Sequence, residues 1–273
     1  MPTISVVIPT HNRSWLISTT ISYVLNQTYD DFEVIVIDNG STDDTRSVVE
    51  SITDDRVKYI YQNNSGSPAK PRNTGISVAS GKYVSFLDDD DIWYPNKLET
   101  VIHAFESNPY PDIICHSEYE NKHGKITNLL QYKSKRQDVF EHLMFHGNCL
   151  SGSATSVRTE VLLEVEGFRE EIEFFEIEDY DLWIRLALCQ KKFCFISEPL
   201  GEFVIHESND TLKGLHRRYP NHRRMLKKHL SDAKKVPLTD RIRFQIVILR
   251  TFYSEVKLYT EKWKRSILRI ASP

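Results

Sequence analysis

Cysteine is scarce in these 273 residues, and the four present (Cys115, Cys149, Cys189, Cys194) include no Cys-x-x-Cys pair. That excludes a zinc-ribbon framework and a disulfide-stapled scaffold; their apolar neighbours make buried thiols the expectation. No apolar run approaches the roughly 20 residues of a membrane span. The longest candidate, Phe244 to Leu249, is closed on both sides by arginine. The N-terminus, Met1 to Ser5, lacks the basic region and apolar segment of a secretory signal, so the expected location is cytoplasmic. Neither Gly-x-Gly-x-x-Gly after the first strand nor a Gly-x-x-x-x-Gly-Lys-Ser/Thr loop occurs, which removes the common dinucleotide and phosphate-loop folds.

What is present begins with an acidic run. Tyr83 to Leu87 reads as a short buried strand that stops at Asp88, Asp89, Asp90 and Asp91, followed by Trp93, Tyr94 and Pro95. Four carboxylates in a row repel one another unless a cation sits among them. Oxygen ligands of this kind suit magnesium or manganese, with substrate phosphates completing the shell. A solvated acidic turn is the competing reading of these residues alone. Upstream, Ile4 to Ile8, Phe32 to Ile37 and Val57 to Tyr61 read as strands, followed by helices from about Ser14 to Asn26, after Thr42-Asp43-Asp44, and one with Asn73 and Gly75 near its start. Strands alternating with helices predict a mostly parallel, doubly wound α/β sheet. Ligands of such sheets bind at the carboxyl ends of the strands, where Thr10 to Arg13, Asp38 and Asp88 to Asp91 all fall.

At this point the chain resembles a known family. Ser5 to Arg13 (SVVIPTHNR), Val36 to Asp43 (VIDNGSTD), Ala69 to Ile76 (AKPRNTGI), Phe86 to Asp91 (FLDDDD) and Glu178 to Trp183 (EDYDLW) are similar, in order and spacing, to the motifs of glycosyltransferase family 2, of GT-A fold. The resemblance implies an inverting, metal-dependent enzyme, a hexosyl- or N-acetylhexosaminyltransferase, using a nucleotide-diphosphate sugar, with uridine diphosphate the expected carrier. It implies that Thr10, Asp38, Arg72, Asp88 and Asp89 border the donor nucleotide. Asp90 is the implied ligand of Mn2+ or Mg2+, Asp88 lying nearer the ribose or a metal-bound water, and His206 is a second implied metal ligand. Asp179 is the implied catalytic base that takes the acceptor hydroxyl's proton. On a helix starting near Glu178, Asp179 shares a face with Leu182, Trp183 and Leu186; burial and the helix N-terminus act on its carboxyl in opposite directions. Glu178 and Asp181 point elsewhere in that reading and merely complement the helix dipole. Asp38 as a turn former, and Arg72 as an ion-pair partner of the acids, are the structural alternatives.

Further along, a helix is expected over Lys97 to Glu106, a strand over Asp112 to His116, and a strand pair reaching Tyr132 with Gly124 in its turn. Val139 to Phe145 is amphipathic, Gly147 to Ala154 brings small residues before another strand, and Val161 to Phe168 ends a helix at Gly167. Phe193 to Ser197 and Glu202 to Ile205 read as two strands, and Glu207 to Gly214 as a lid. The expected organisation is a catalytic domain over 1–212, with the nucleotide side about 1–116 and the acceptor side about 117–212. A basic helical extension over 213–273 follows. From Lys213 onward 17 basic residues face four acids, so the net charge of −3 divides into +13 there and −16 before it. Such a tail faces something anionic. Prolines 220 and 237 break its basic segment, and a helix from Thr239 carries Trp263 among Lys262, Lys264 and Arg265 like an interfacial anchor; an oligomer contact competes. The expected partners are a UDP-sugar, an oligosaccharide or lipid-linked acceptor and the inner membrane face, with no nucleic acid. A sugar-phosphate nucleotidyltransferase and a catalytically silent adaptor are the alternatives.

Overall fold

In the computed structural model of the chain, residues 1–136, 138–205 and 215–232 are described, with side chains of the last segment described at 221–229. The first half alternates as the sequence pattern demands. β1 (Ile4–Thr10), β2 (Phe32–Asn39), β3 (Val57–Gln62) and β4 (Tyr83–Phe86) are separated by α1 (Ile17–Leu25), α2 (Thr45–Glu50) and α3 (Ala69–Val78). These strands pair in parallel in the order β3, β2, β1, β4. Successive residues of β1 serve opposite faces: Val7 joins one apolar core, Ile4, Val6 and Ile8 the other. A sheet buried on both faces needs continuous β-branched runs, and that is why Ile4 to Ile8 does not alternate with polar residues.

Beyond β4 come β5 (Ile92–Trp93), α4 (Lys97–Glu106), β6 (Ile113–Lys122), β7 (Lys125–Leu130), α5 (Val139–His146), β8 (Thr155–Arg158), α6 (Thr159–Glu164), α7 (Glu178–Leu188), β9 (Phe193–Ile205) and α8 (Leu215–Asp232). The sheet continues from β4 through β8, β6 and β9 to β5, with β7 added on β6. The α/β class and GT-A-like sheet expected from the sequence are the ones observed. Parallel pairing dominates the β1–β4 half, and antiparallel pairs at β4–β8, β6–β8, β6–β7 and β5–β9 close the other side.

Several local expectations need correction. α3 begins at Ala69, so Asn73 and Gly75 lie mid-helix rather than near its start. Phe193 to Ile205 is one strand whose register against β6 shifts after His116 and after Ser117; the polar Glu198-Pro199 interruption is absorbed as an irregularity. Pro220 does not end α8, whose packed residues Met225, Leu226 and His229 lie further along and outweigh the proline's cost of about 3 kcal/mol. All four cysteines are unpaired; Cys115 and Cys149 are buried and Cys194 is half-buried, but Cys189, just after α7, is exposed. His206, the lid over 207–214 and the helix expected from Thr239 lie outside the described residues.

Candidate active site

A cleft of about 540 Å³ opens at the carboxyl ends of β1, β2 and β4. Beside it, the loops after β1 and β2 are tied to each other. Asn12, held at φ 53°, donates its amide N–H to Ser41 Oγ at 2.8 Å, and its side-chain oxygen accepts from Thr42 N at 2.8 Å. Asp43 accepts from Ser14 N and from Thr45 N, both at 3.0 Å. Burial works against the ionised Asp43 carboxyl, but these hydrogen bonds outweigh it and hold its pKa at about 2. The Thr42-Asp43-Asp44 segment therefore does more than start α2: it locks the loop after β1 to the loop after β2.

Thr10 closes β1 and donates its hydroxyl to Asp89 Oδ2 at 2.7 Å; Arg13 Nε lies 3.8 Å from the other oxygen of that carboxylate. Burial first, and then the neighbouring Asp90 charge, push the Asp89 carboxyl up to about 7. Asp91 is 3% exposed and turns away from the cleft, accepting from Ser153 Oγ at 2.5 Å and Val204 N at 2.9 Å. Its pKa is pushed well above the carboxylate range, again by burial and then by Asp90. Asp88 and Asp90, both half-buried, line the cleft. One strand end thus crowds four carboxyl groups, and the hard oxygen donors of Asp88 and Asp90 that face the cleft fit a divalent cation. No group of three or more His, Cys, Asp or Glu able to hold a metal by itself occurs among the described residues.

Arg72, on α3, is the side chain that joins the two halves. It is 5% exposed, donating Nη2 to Asp88 Oδ1 at 2.6 Å and Nη1 to Glu178 Oε1 at 2.9 Å. Its guanidinium carbon lies 5.5 Å from the ring centre of Phe168. Burial disfavours the cation, yet the Asp88 and Glu178 carboxylates raise its pKa overall. Burial pushes the Glu178 carboxyl up to about 7 against the pull of Arg72, with Asp179 adding to the rise. The guanidinium is thus held in its charged form between two carboxylates, while burial works against the Glu178 anion.

Asp179 is half-buried at the N-terminus of α7 and lines the cleft opposite Asp88 to Asp90, one of its oxygens accepting from Tyr180 N at 2.6 Å. Leu182, Trp183 and Leu186 are fully buried, as the helical spacing predicts. Asp181 is not a solvated dipole complement: it is fully buried and accepts from Arg185 Nε at 2.7 Å and Arg169 Nη1 at 3.2 Å, with His229 Nε2 at 2.7 Å. Nor is Glu178 one, since it is buried on Arg72.

The structure therefore brings Thr10, Arg72, Asp88, Asp89, Asp90 and Asp179 to one cleft. Asp38 stands apart: 1% exposed, its carboxylate accepts from Tyr59 Oη at 2.6 Å and Ser41 N at 2.8 Å, and Asn39 of the same strand lines the cleft instead. Sequence reading gave no role to Asn39, Asn64 or Tyr132, which also line it. Asn39 follows Asp38 in a quoted motif; the other two lie in loops where no periodicity marks them. Tyr132 donates its hydroxyl to Glu118 Oε2 at 3.0 Å, and that fully buried carboxyl, too, is raised to about 7 by burial.

Comparison with known proteins agrees with this geometry. The profile described as glycosyl transferase family 2 matches residues 5–165. A beta-1,3-glucosyltransferase of Escherichia coli, described as acting from UDP-Glc on alpha-D-GlcNAc-diphosphoundecaprenol, is 33% identical over 183 residues, covering 67% of this chain and 69% of that protein. An uncharacterized glycosyltransferase of Rickettsia bellii is 36% identical over 212 residues, covering 76% of this chain; the chain spans only 29% of that relative's length. Among solved structures, Staphylococcus aureus TarS 1-349 in complex with UDP-GlcNAc superposes with a TM-score of 0.74 at 22% identity, covering 93% of this chain and 73% of that one. A mannosyltransferase of Pyrobaculum calidifontis, in complex with GDP-Man and Mn2+, reaches 0.63 at 20% identity, covering 92% and 68%. These two likenesses bear on the fold. With the profile spanning more than half of its residues, the chain belongs to glycosyl transferase family 2.

Proposed function

We propose that this chain moves one sugar, with inversion, from a UDP-sugar to a hydroxyl of a lipid-linked saccharide, with Asp179 as the base. The observation that carries the reading is the Arg72 bridge from Asp88 to Glu178, which ties the acidic strand end to the helix turn bearing Asp179 across one cleft. The donor nucleotide would lie along Thr10, Arg72, Asp88 and Asp89, with Asp38 acting by fixing the β2 turn through Ser41. The E. coli relative and a Campylobacter jejuni beta-1,3-glucosyltransferase, described as acting on GalNAc(5)-diNAcBac-PP-undecaprenol and 35% identical over 190 residues, support the acceptor class.

The chemistry balances without a covalent enzyme intermediate. An acceptor oxygen attacks the anomeric carbon from the Asp179 side, its proton passing to the Asp179 carboxylate, while the bond from that carbon to the diphosphate breaks and UDP leaves. Asp90, with Asp88 alongside, would hold Mn2+ or Mg2+, which when bound stabilises the charge gathering on the diphosphate. Arg72 meanwhile keeps Asp88 and Glu178 from repelling each other and Asp179.

The test is UDP release with a synthetic diphosphoundecaprenol-linked saccharide and a panel of UDP-sugars. Asp179→Asn is expected to lower kcat by about 10²–10⁴-fold with UDP affinity retained, as loss of a general base does. An Asp179→Asn protein that turns over at the wild-type rate overturns the assignment of the base; wild-type protein that releases UDP with no acceptor of this class overturns the acceptor.

A further inference from the structure

Within the β6–β7 hairpin, β7 pairs only with β6 among the described strands and so makes an edge of the sheet beside the cleft. The hairpin turn is a two-residue one in which His123 and Gly124 both take left-handed φ, 52° and 79°, the geometry that matches strand twist. A register shift falls between Glu120 and Asn121. Before it Leu129 pairs with Tyr119, and after it Ile126 pairs with Asn121. Tyr119 and Asn121 are two apart in β6 and share a face, so the shift puts Ile126 and Leu129 on that same face despite their odd spacing. Both are about half exposed, at 51% and 48%. Leu130, one residue on, faces the other way and lines the cleft.

Charge marks this edge as well. Residues 1–212 carry −16, yet Tyr119 to Arg136 holds five basic residues against one acid. Lys122, Lys125, Lys133 and Lys135 are all exposed, and the single acid, Glu120, is occupied by Thr127 and by Asn128 at 2.9 Å. On an otherwise acidic body over 1–212, such a segment is a place where an anionic bilayer is attracted rather than repelled. Two apolar side chains on one face of an edge strand, with the Lys122–Lys125 pair projecting from the other face at its turn end, suit the boundary between headgroups and acyl chains.

We propose that the β6–β7 hairpin is a membrane-docking edge that inserts Ile126 and Leu129 into an anionic lipid surface, with Lys122 and Lys125 on the headgroups. Docking there would bring the Leu130 and Tyr132 rim of the cleft to the level at which a lipid-linked saccharide leaves the bilayer. The proposal rests on the lipid-linked acceptor reading above.

The experiment is flotation of the full chain with vesicles of phosphatidylcholine plus phosphatidylglycerol, and of phosphatidylcholine alone, beside UDP release on a short-chain soluble acceptor. Ile126→Ser with Leu129→Ser, and separately Lys122→Gln with Lys125→Gln, are each expected to weaken binding to the mixed vesicles by about tenfold or more. The lysine pair is expected to leave binding to neutral vesicles unchanged. Turnover of the soluble acceptor should match wild type in both. The C-terminal basic residues are the same in every variant, so they cannot account for a difference. Vesicle binding equal to wild type in both variants overturns the proposal, whatever the turnover. So does a change in molar mass by light scattering with vesicle binding intact, which would make the edge a contact between copies of this chain. Turnover reports independently on the acceptor reading.

Discussion

Arg72 shows how one side chain can be structural and functional at once. Read from sequence it was either a donor contact or an ion-pair partner of the acids; in the fold it is ion-paired, and the pairing links Asp88 to Glu178. Its Nε is buried with no hydrogen-bond partner among the described residues, as is Glu178 Oε2. Glu178 carries the cost of the arrangement. Its pKa is raised from 4.5 to about 7 by burial, so between those values the folded protein holds a proton that the unfolded chain has released. Stability from this group is full below about pH 4.5 and is lost as pH rises to about 7, at about 1.4 kcal/mol per pH unit. Glu178→Gln should remove that slope: its stability minus that of wild type should grow from pH 5 to pH 7 and level off above, in urea titrations at each pH. An unchanged difference would show that Glu178 is ionised throughout.

Elements were legible where a local rule decides them. α4 falls on Lys97–Glu106 as expected, because Pro95 and the spacing of Leu98, Val101, Ile102 and Phe105 leave little choice. The β6–β7 turn was legible from Gly124. Position within α3 was not, since Pro68 and Pro71 stand at its cap and in its first turn, where proline is tolerated but marks no single starting residue. Ion pairs such as Arg72 to Glu178, 106 residues apart, leave no periodic trace at all. The role of Gly75 also emerges only from packing. A Cβ there would lie 2.3 Å from Val7 Cγ1, inside the core that seats α3 on β1. Gly75→Ala would gain about 1 kcal/mol of helix propensity. It would also force Val7 or the helix to move, at about 1–3 kcal/mol. The packing term should win, giving a protein less stable by about 1 kcal/mol in urea, with UDP affinity reduced because Arg72 rides on the same helix.

At the scale of the molecule, the sequence divides at residue 212 by charge, but packing does not. α8 lies beyond that boundary, and Met225 and Leu226, each 1% exposed, belong to the core that contains α7. His229, 1% exposed, sits on Asp181 two residues from Asp179. Lys228 reaches the Phe174 ring at 5.0 Å, and Asn221 donates to Phe175 O at 3.3 Å. Part of the basic segment is thus a buttress for the turn that presents Asp179, which charge counting could not reveal. The consequence is testable by truncation. A chain ending at Asp232 retains the packed face of α8 and is the reference for a shorter one. One ending at residue 212 loses two buried apolar side chains worth about 1.5–3 kcal/mol each and uncovers Asp181, so its Tm should fall by on the order of 10 °C. On the proposed reading its kcat should fall further than its UDP affinity, because α8 covers Asp181, two residues from Asp179. Equal Tm values for the two truncations would put α8 outside the catalytic body.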